Sequence, residues 1–133
     1  MKHRIIGLLK ELVKINSVNG TLSGGPGEKE ISGFVARYLT KLGLDPKIQP
    51  TAPQGNNVVA IIPGINSNDS LLLNGHLDTV GVEGMDAPFN LRQEGDKLYG
   101  RGTYDMKGSI AVMLLLAEYF TRQPPPISIR PQK

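Results

Sequence analysis

The sequence predicts an α/β domain in which helices are layered on strands. Amphipathic helical segments alternate with short apolar runs bounded by proline and glycine. At 133 residues the chain has the length of one compact domain. Its residues are 39% hydrophobic and 20% charged, which excludes the apolar-poor, charge-rich composition of a disordered segment.

Ile5, Leu8, Leu9, Leu12 and Val13 recur at helical spacing and predict a helix over 4–14. Asn16 to Gly27, rich in Gly, Ser and Asn, predicts a loop. Ile31, Phe34, Val35, Tyr38, Leu39 and Leu42 mark a second helix. Glu28 and Glu30 suit the positive end of its dipole, and Gly43 sits where a C-terminal cap belongs. Three extended segments follow, Lys47–Gln49, Asn57–Ile62 and Ser70–Asn74, punctuated by Pro50, Pro53, Pro63 and Gly64. The second and third are nearly continuous apolar runs, which predicts strands buried on both faces. Phe89 to Tyr99 predicts a hairpin turning at Glu94-Gly95-Asp96, and about Lys107 to Phe120 a buried helix. The division expected is a domain over 1–120 and an irregular, proline-rich basic tail over 121–133. No two prolines of that tail are three apart, so it carries no PxxP ligand.

The net charge of +3 has one source. Thr121 to Lys133 contains Arg122, Arg130 and Lys133 and no acid, and the remaining chain balances 12 basic against 12 acidic residues. A basic surface for nucleic acid is therefore not expected on the body. The longest apolar run, Ile110 to Ala117, is eight residues against about twenty for a membrane span, so no membrane partner is expected. The apolar stretch Ile5–Leu9 is too short for a signal peptide. The absence of cysteine excludes a disulfide framework, a thiolate metal site and a cysteine nucleophile, and a cytoplasmic location is expected.

Chemistry concentrates in two segments. In Leu71-Leu72-Leu73-Asn74-Gly75-His76-Leu77-Asp78-Thr79-Val80 a strand ends in His76, with Asp78 two residues on and so on the same side of extended chain. Taken alone, the two suit a strand-end histidine satisfied by a local hydrogen bond. A metal-binding imidazole whose second nitrogen faces a carboxylate is the less favoured reading of these two residues by themselves. In Tyr99-Gly100-Arg101-Gly102-Thr103-Tyr104-Asp105-Met106-Lys107-Gly108, Asp105 lies in the turn before a helix, placed to offer a carboxylate to a metal. A dinucleotide-binding loop is excluded because its third glycine would fall at Asp105, whose charge repels a pyrophosphate.

Together, Gly75–Val80 and Gly100–Gly108 resemble the dinuclear-zinc metallopeptidase family of acetylornithine deacetylase, succinyl-diaminopimelate desuccinylase, aminoacylase and glutamate carboxypeptidase. The likeness runs from near the N-terminus to about Phe120, the N-terminal part only. It implies a three-layer zinc-exopeptidase-like catalytic domain, incomplete at its C-terminal side. It further implies that His76 ligates one zinc, that Asp105 bridges two, and that Asp78 orients His76 in the catalytic centre. Cobalt is the alternative metal, and a cis peptide is implied at Asp105–Met106. The implied activity is hydrolysis of N-acyl amino acids or small peptides by metal-activated water. Lys107, Arg101, Glu83 and Asp86 are expected to solvate the surface or brace the loop, and His3 to be incidental.

The family's paired glutamates, its later carboxylate and second histidine ligands and its smaller domain have no counterpart. Twenty-eight residues, 106 to 133, follow Asp105, and no Glu-Glu pair occurs in the chain. Glu118, the only acid among those residues, sits within an apolar helical segment. The expectation is an inactive fragment, truncated or out of frame after about Phe120. The alternative is a non-catalytic remnant or binding module with a weak metal site.

Overall fold

A computed structural model describes residues 2–52 and 55–130. Pro53 and the last three tail residues, Pro131, Gln132 and Lys133, lie outside these described residues. The helices are α1 (Lys2–Lys14), α2 (Gly20–Ser23), α3 (Lys29–Lys41) and α4 (Gly108–Arg122). The strands are β1 (Lys47–Ala52), β2 (Gly55–Val59), β3 (Asn66–Leu71), β4 (Arg92–Glu94), β5 (Lys97–Tyr99) and β6 (Ile127–Ile129).

The apolar stripes read from the sequence are the buried faces. Leu9, Leu12 and Val13 of α1, Ile31, Val35 and Leu39 of α3, and Ile110, Leu114 and Ala117 of α4 share one core with Ile62 and Ile129. Gly43 has φ of +83° just past α3, the left-handed C-terminal position that glycine takes without a Cβ clash. α4 runs two residues beyond the expected Phe120 before Pro124 prevents its continuation.

β1 and β2 form an antiparallel pair with Lys47 opposite Val59 and Gln49 opposite Asn57. β6 runs parallel to β3, pairing Ser128 with Ser70 and Ile129 with Leu71. Ile62, three residues past β2, and Ile129 of β6 exchange reciprocal backbone hydrogen bonds of 2.9 Å, an isolated antiparallel bridge between the two two-stranded sheets. β4 and β5 make the expected hairpin, with Gly95 at φ of +61° in the turn.

Three expectations require correction. First, the segment after Phe120 is not all irregular. The carbonyls of Pro125 and Pro126 accept from the Ile65 and Asn66 amides at 2.9 and 2.8 Å. Ser128 and Ile129 are then buried in β6. Second, the third strand begins at Asn66, not Ser70, and ends at Leu71. The register explains this: β6 supplies only three partners, and the Arg130 amide bonds the Leu71 carbonyl as the last rung among the described residues. Third, the apolar runs are not buried on both faces. Val58, Ala60 and Leu73 pack on the core, whereas Ile61 and Leu72, which point the other way, are 53% and 50% exposed.

Glu118 ties three helices together. Its carboxylate accepts from Arg4 of α1 and from the Tyr38 hydroxyl of α3 at 3.1 Å, and it forms an ion pair with Arg122 one turn on at 2.9 Å. Desolvation pushes the Glu118 pKa up, but the hydrogen bonds from Tyr38 and Arg4 and the two guanidinium charges outweigh it and leave the pKa lowered. A lowered carboxylate pKa contributes stability above the unfolded value, and that stability is lost as pH falls through the folded one. Both arginines are largely exposed, which screens their share. Glu118→Gln is therefore expected to cost about 1 kcal/mol at neutral pH. In urea denaturation the difference from the parent chain should shrink and vanish as pH falls through the lowered Glu118 pKa. A difference that persists unchanged in acid would contradict this role.

Candidate functional site

Two polypeptide segments meet through the loop that follows α1. The Thr79 amide donates to the Ser17 carbonyl at 2.9 Å and the Asn19 amide to the Thr79 carbonyl at 2.8 Å. The Ser17 hydroxyl donates to the Leu77 carbonyl at 2.8 Å. These bonds hold Leu77–Thr79 straight. His76 and Asp78 thus fall on one side, as residues two apart in extended chain must.

The turn Thr103–Lys107 brings Asp105 to the same place. It starts at Gly102, whose φ of +81° is left-handed, and the Asp105–Met106 peptide is cis, as the resemblance implies. The Lys107 amide closes the turn on the Gly102 carbonyl at 2.8 Å. The Lys107 side chain is 1% exposed, and its Nζ donates to the Ile15 carbonyl at 2.7 Å, stapling the turn to the end of α1. Burial pushes its pKa down to about 8. Of the two expectations for Lys107, bracing is the one observed. Glu83 and Asp86 are exposed, as expected of residues that solvate the surface, and His3 is exposed as well.

A side chain at Gly102 would meet Thr79 Cγ2 at 2.8 Å and Lys107 Cδ at 3.1 Å. Gly102→Ala adds that contact to the left-handed penalty, for an expected cost of about 2 kcal/mol. Thermal unfolding should register a drop in Tm of about 6 °C. An unchanged Tm would contradict the tight turn.

The three residues singled out from sequence are brought together. His76 Nε2 lies 2.8 Å from Asp105 Oδ1. His76 Nδ1 lies 3.1 Å from the Asp78 carbonyl and 3.2 Å from Asp78 Oδ1. The His76 amide donates to Met106 Sδ at 3.3 Å. Burial alone would lower the His76 pKa. The hydrogen bonds to Asp105 and to the Asp78 carbonyl, with the charges of both carboxylates, raise it overall. The His76 and Asp105 side chains are open to solvent, at 48% and 76% exposure, and His76 and Asp78 line a cleft of about 820 Å³. Val58, Ile110 and Leu114 line its apolar interior.

An imidazole and a carboxylate at hydrogen-bond distance, with a further carboxylate behind the ring, are side chains of the kinds that ligate metal ions and orient such ligands. The residues present fit part of such a site. Among the described residues no group of three or more His, Cys, Asp and Glu side chains is arranged to hold an ion. Asn19 and Ser17, which the sequence reading passed over, complete the surroundings. They lie 59 and 60 residues from their partners, and nothing local in the sequence marks them.

Comparisons with known proteins bear on the family and the fold. The model of peptidase family M20/M25/M40 matches residues 72–130. The likeness therefore continues past Phe120, and the expected break there is overturned. Carboxypeptidase G2 from Pseudomonas is 36% identical over 124 residues, covering 89% of this chain and 29% of that protein. A probable succinyl-diaminopimelate desuccinylase from Staphylococcus aureus is 30% identical over 114 residues, covering 83% of this chain and 26% of its own length. The chain thus spans little more than a quarter of these relatives. The structure of human carnosine dipeptidase 1 superposes with a TM-score of 0.79 at 23% identity, over 97% of this chain and 31% of that one. A metallo-carboxypeptidase from Sulfolobus solfataricus gives 0.76 at 23% identity, over 94% and 29%. The fold is that of these α/β catalytic domains, and the chain belongs to peptidase family M20/M25/M40.

Proposed function

We propose that this chain carries the first metal-holding half of a hydrolase acting on N-acyl amino acids or small peptides. His76 and Asp105 are the metal ligands, Asp105 bridges two ions in the completed centre, and Asp78 orients His76. The observation that carries this reading is the 2.8 Å approach of His76 Nε2 to Asp105 Oδ1, with Asp78 behind the ring. Both ring nitrogens of His76 face oxygen, Nδ1 toward Asp78 and Nε2 toward Asp105, so His76 and Asp105 are the residues that would hold a metal. Zinc is the metal proposed, with cobalt as its substitute. When bound, it supplies Lewis acidity toward an amide carbonyl and toward water.

The residues of this chain hold and aim the ligands. Among the described residues none is placed to move the proton from water to the leaving amine, the task of a general base. Asp105 and His76 alone make a weak site, because zinc centres ordinarily take three or four protein ligands. As a separate molecule the chain is thus a fragment of the hydrolase, without turnover. Among the described residues no helix is long and apolar enough to cross a membrane. The lack of cysteine supports a cytoplasmic setting, and the likeness to carboxypeptidase G2 and succinyl-diaminopimelate desuccinylase supports a small-molecule substrate.

The test is release of amino acid from N-acetyl and N-succinyl substrates by the purified chain with added zinc or cobalt. No turnover is expected. Turnover with stoichiometric zinc, lost in Asp105→Ala, would contradict the inactive reading while supporting the ligand assignment.

A further inference from the structure

The side-chain amide of Asn19 is occupied at both ends. Its Oδ1 accepts from the Thr21 and Leu22 amides at 3.0 and 2.8 Å, capping the single turn α2. Backbone N–H groups only donate, so the atom facing them is the oxygen, and the NH₂ group is committed to Asp78 Oδ2 at 2.9 Å. The main chain of Asn19 is equally fixed. Its amide donates to Thr79, and its carbonyl accepts from Ser23 at 3.1 Å and Gly25 at 3.2 Å. A rigid donor therefore grips one oxygen of Asp78, and the other oxygen lies 3.2 Å from His76 Nδ1.

We propose that Asn19 is a positioning residue which, by holding the Asp78 carboxylate, fixes the His76 ring so that Nε2 points at Asp105. The inference about ring orientation stands on these contacts alone. Its consequence for metal affinity rests on the ligand role given to His76 above. The competing arrangement is that the Asp78 backbone carbonyl, 3.1 Å from Nδ1, orients the ring unaided.

The test separates the cap from the relay. Asn19→Asp keeps an equally good N-cap oxygen but sets a carboxylate against Asp78. Asn19→Ser also caps but is too short to reach it. Each is made in the parent chain and in Asp78→Asn. The first readout is exchange of the His76 Nδ1 proton by nuclear magnetic resonance at about pH 6, where the ring is charged. It should quicken about 10-fold in either Asn19 variant and stay unchanged by them in the Asp78→Asn background, a coupling that a double-mutant cycle isolates. The second is zinc affinity near neutral pH, expected to fall about 10-fold with the same coupling. Should Asn19→Asp fail to fold, Asn19→Ser carries both measurements. Proton exchange unaltered in the variants, or altered equally with and without the Asp78 carboxylate, overturns the proposal. Exchange that responds as expected while zinc leaves His76 untouched upholds the relay and removes the metal reading instead.

Discussion

Leu12→Ala is expected to cost about 4 kcal/mol, the largest stability loss of any change considered for this chain. Leu12 is wholly buried on α1 within the core that α1 shares with α3 and α4. A leucine-to-alanine change in such a place loses the transfer free energy of the missing carbons and leaves a cavity that rigid neighbours refill only in part, about 2–5 kcal/mol in all. Domains of this size have total stabilities of about 5–15 kcal/mol, so the variant should be folded only marginally. The site should suffer with it, because α1 leads directly to Ile15, whose carbonyl receives the Lys107 ammonium. Ile65→Ala is the control. Ile65 is 82% exposed, and its loss should shift stability by no more than about 0.5 kcal/mol. Urea denaturation of the two variants checks both values, and equal losses would contradict the placement of the core.

Asp105→Ala is expected to raise the dissociation constant for zinc about 100-fold, or nearly 3 kcal/mol. Loss of a partner that merely orients a ligand commonly lowers metal affinity 10–100-fold, and Asp105 is proposed to touch the metal itself. The fold should tolerate the change, since the Asp105 side chain is 76% exposed and its recorded contact is with His76. Asp86→Ala removes an exposed carboxylate at a position with no proposed ligand role and should leave the affinity unchanged. Isothermal titration calorimetry checks both. Equal affinity for Asp105→Ala and the parent chain would place the metal elsewhere.

Legibility in the sequence follows how local each signal is. The helices were readable because Leu9, Leu12 and Val13, or Ile31, Val35 and Leu39, repeat every three or four residues on one face. The pair His76 and Asp78 was readable because both sit on one extended stretch. Asp105 joined them only through the resemblance of two separated segments. β6 was hidden because Ile127-Ser128-Ile129 is too short for a period and follows three prolines. Its order comes from Ile62 and β3, remote in sequence. The register of β3 was misjudged for the same reason: Leu72–Leu73 is the more apolar stretch, but the ladder forms where β6 offers partners. Asn19 and the burial of Lys107 depend on contacts across 59 and 92 residues, which no window of sequence reveals.

The central claim is that His76 and Asp105 together hold a metal ion. The most direct measurement is a zinc titration of the ¹⁵N-labelled chain followed through its two histidine rings, His76 and His3. The account predicts that zinc moves the Nε2 resonance of His76, leaves His3 unmoved, and loses its effect in Asp105→Ala. Zinc that moves His3 and not His76, or that acts on His76 equally without Asp105, would contradict it.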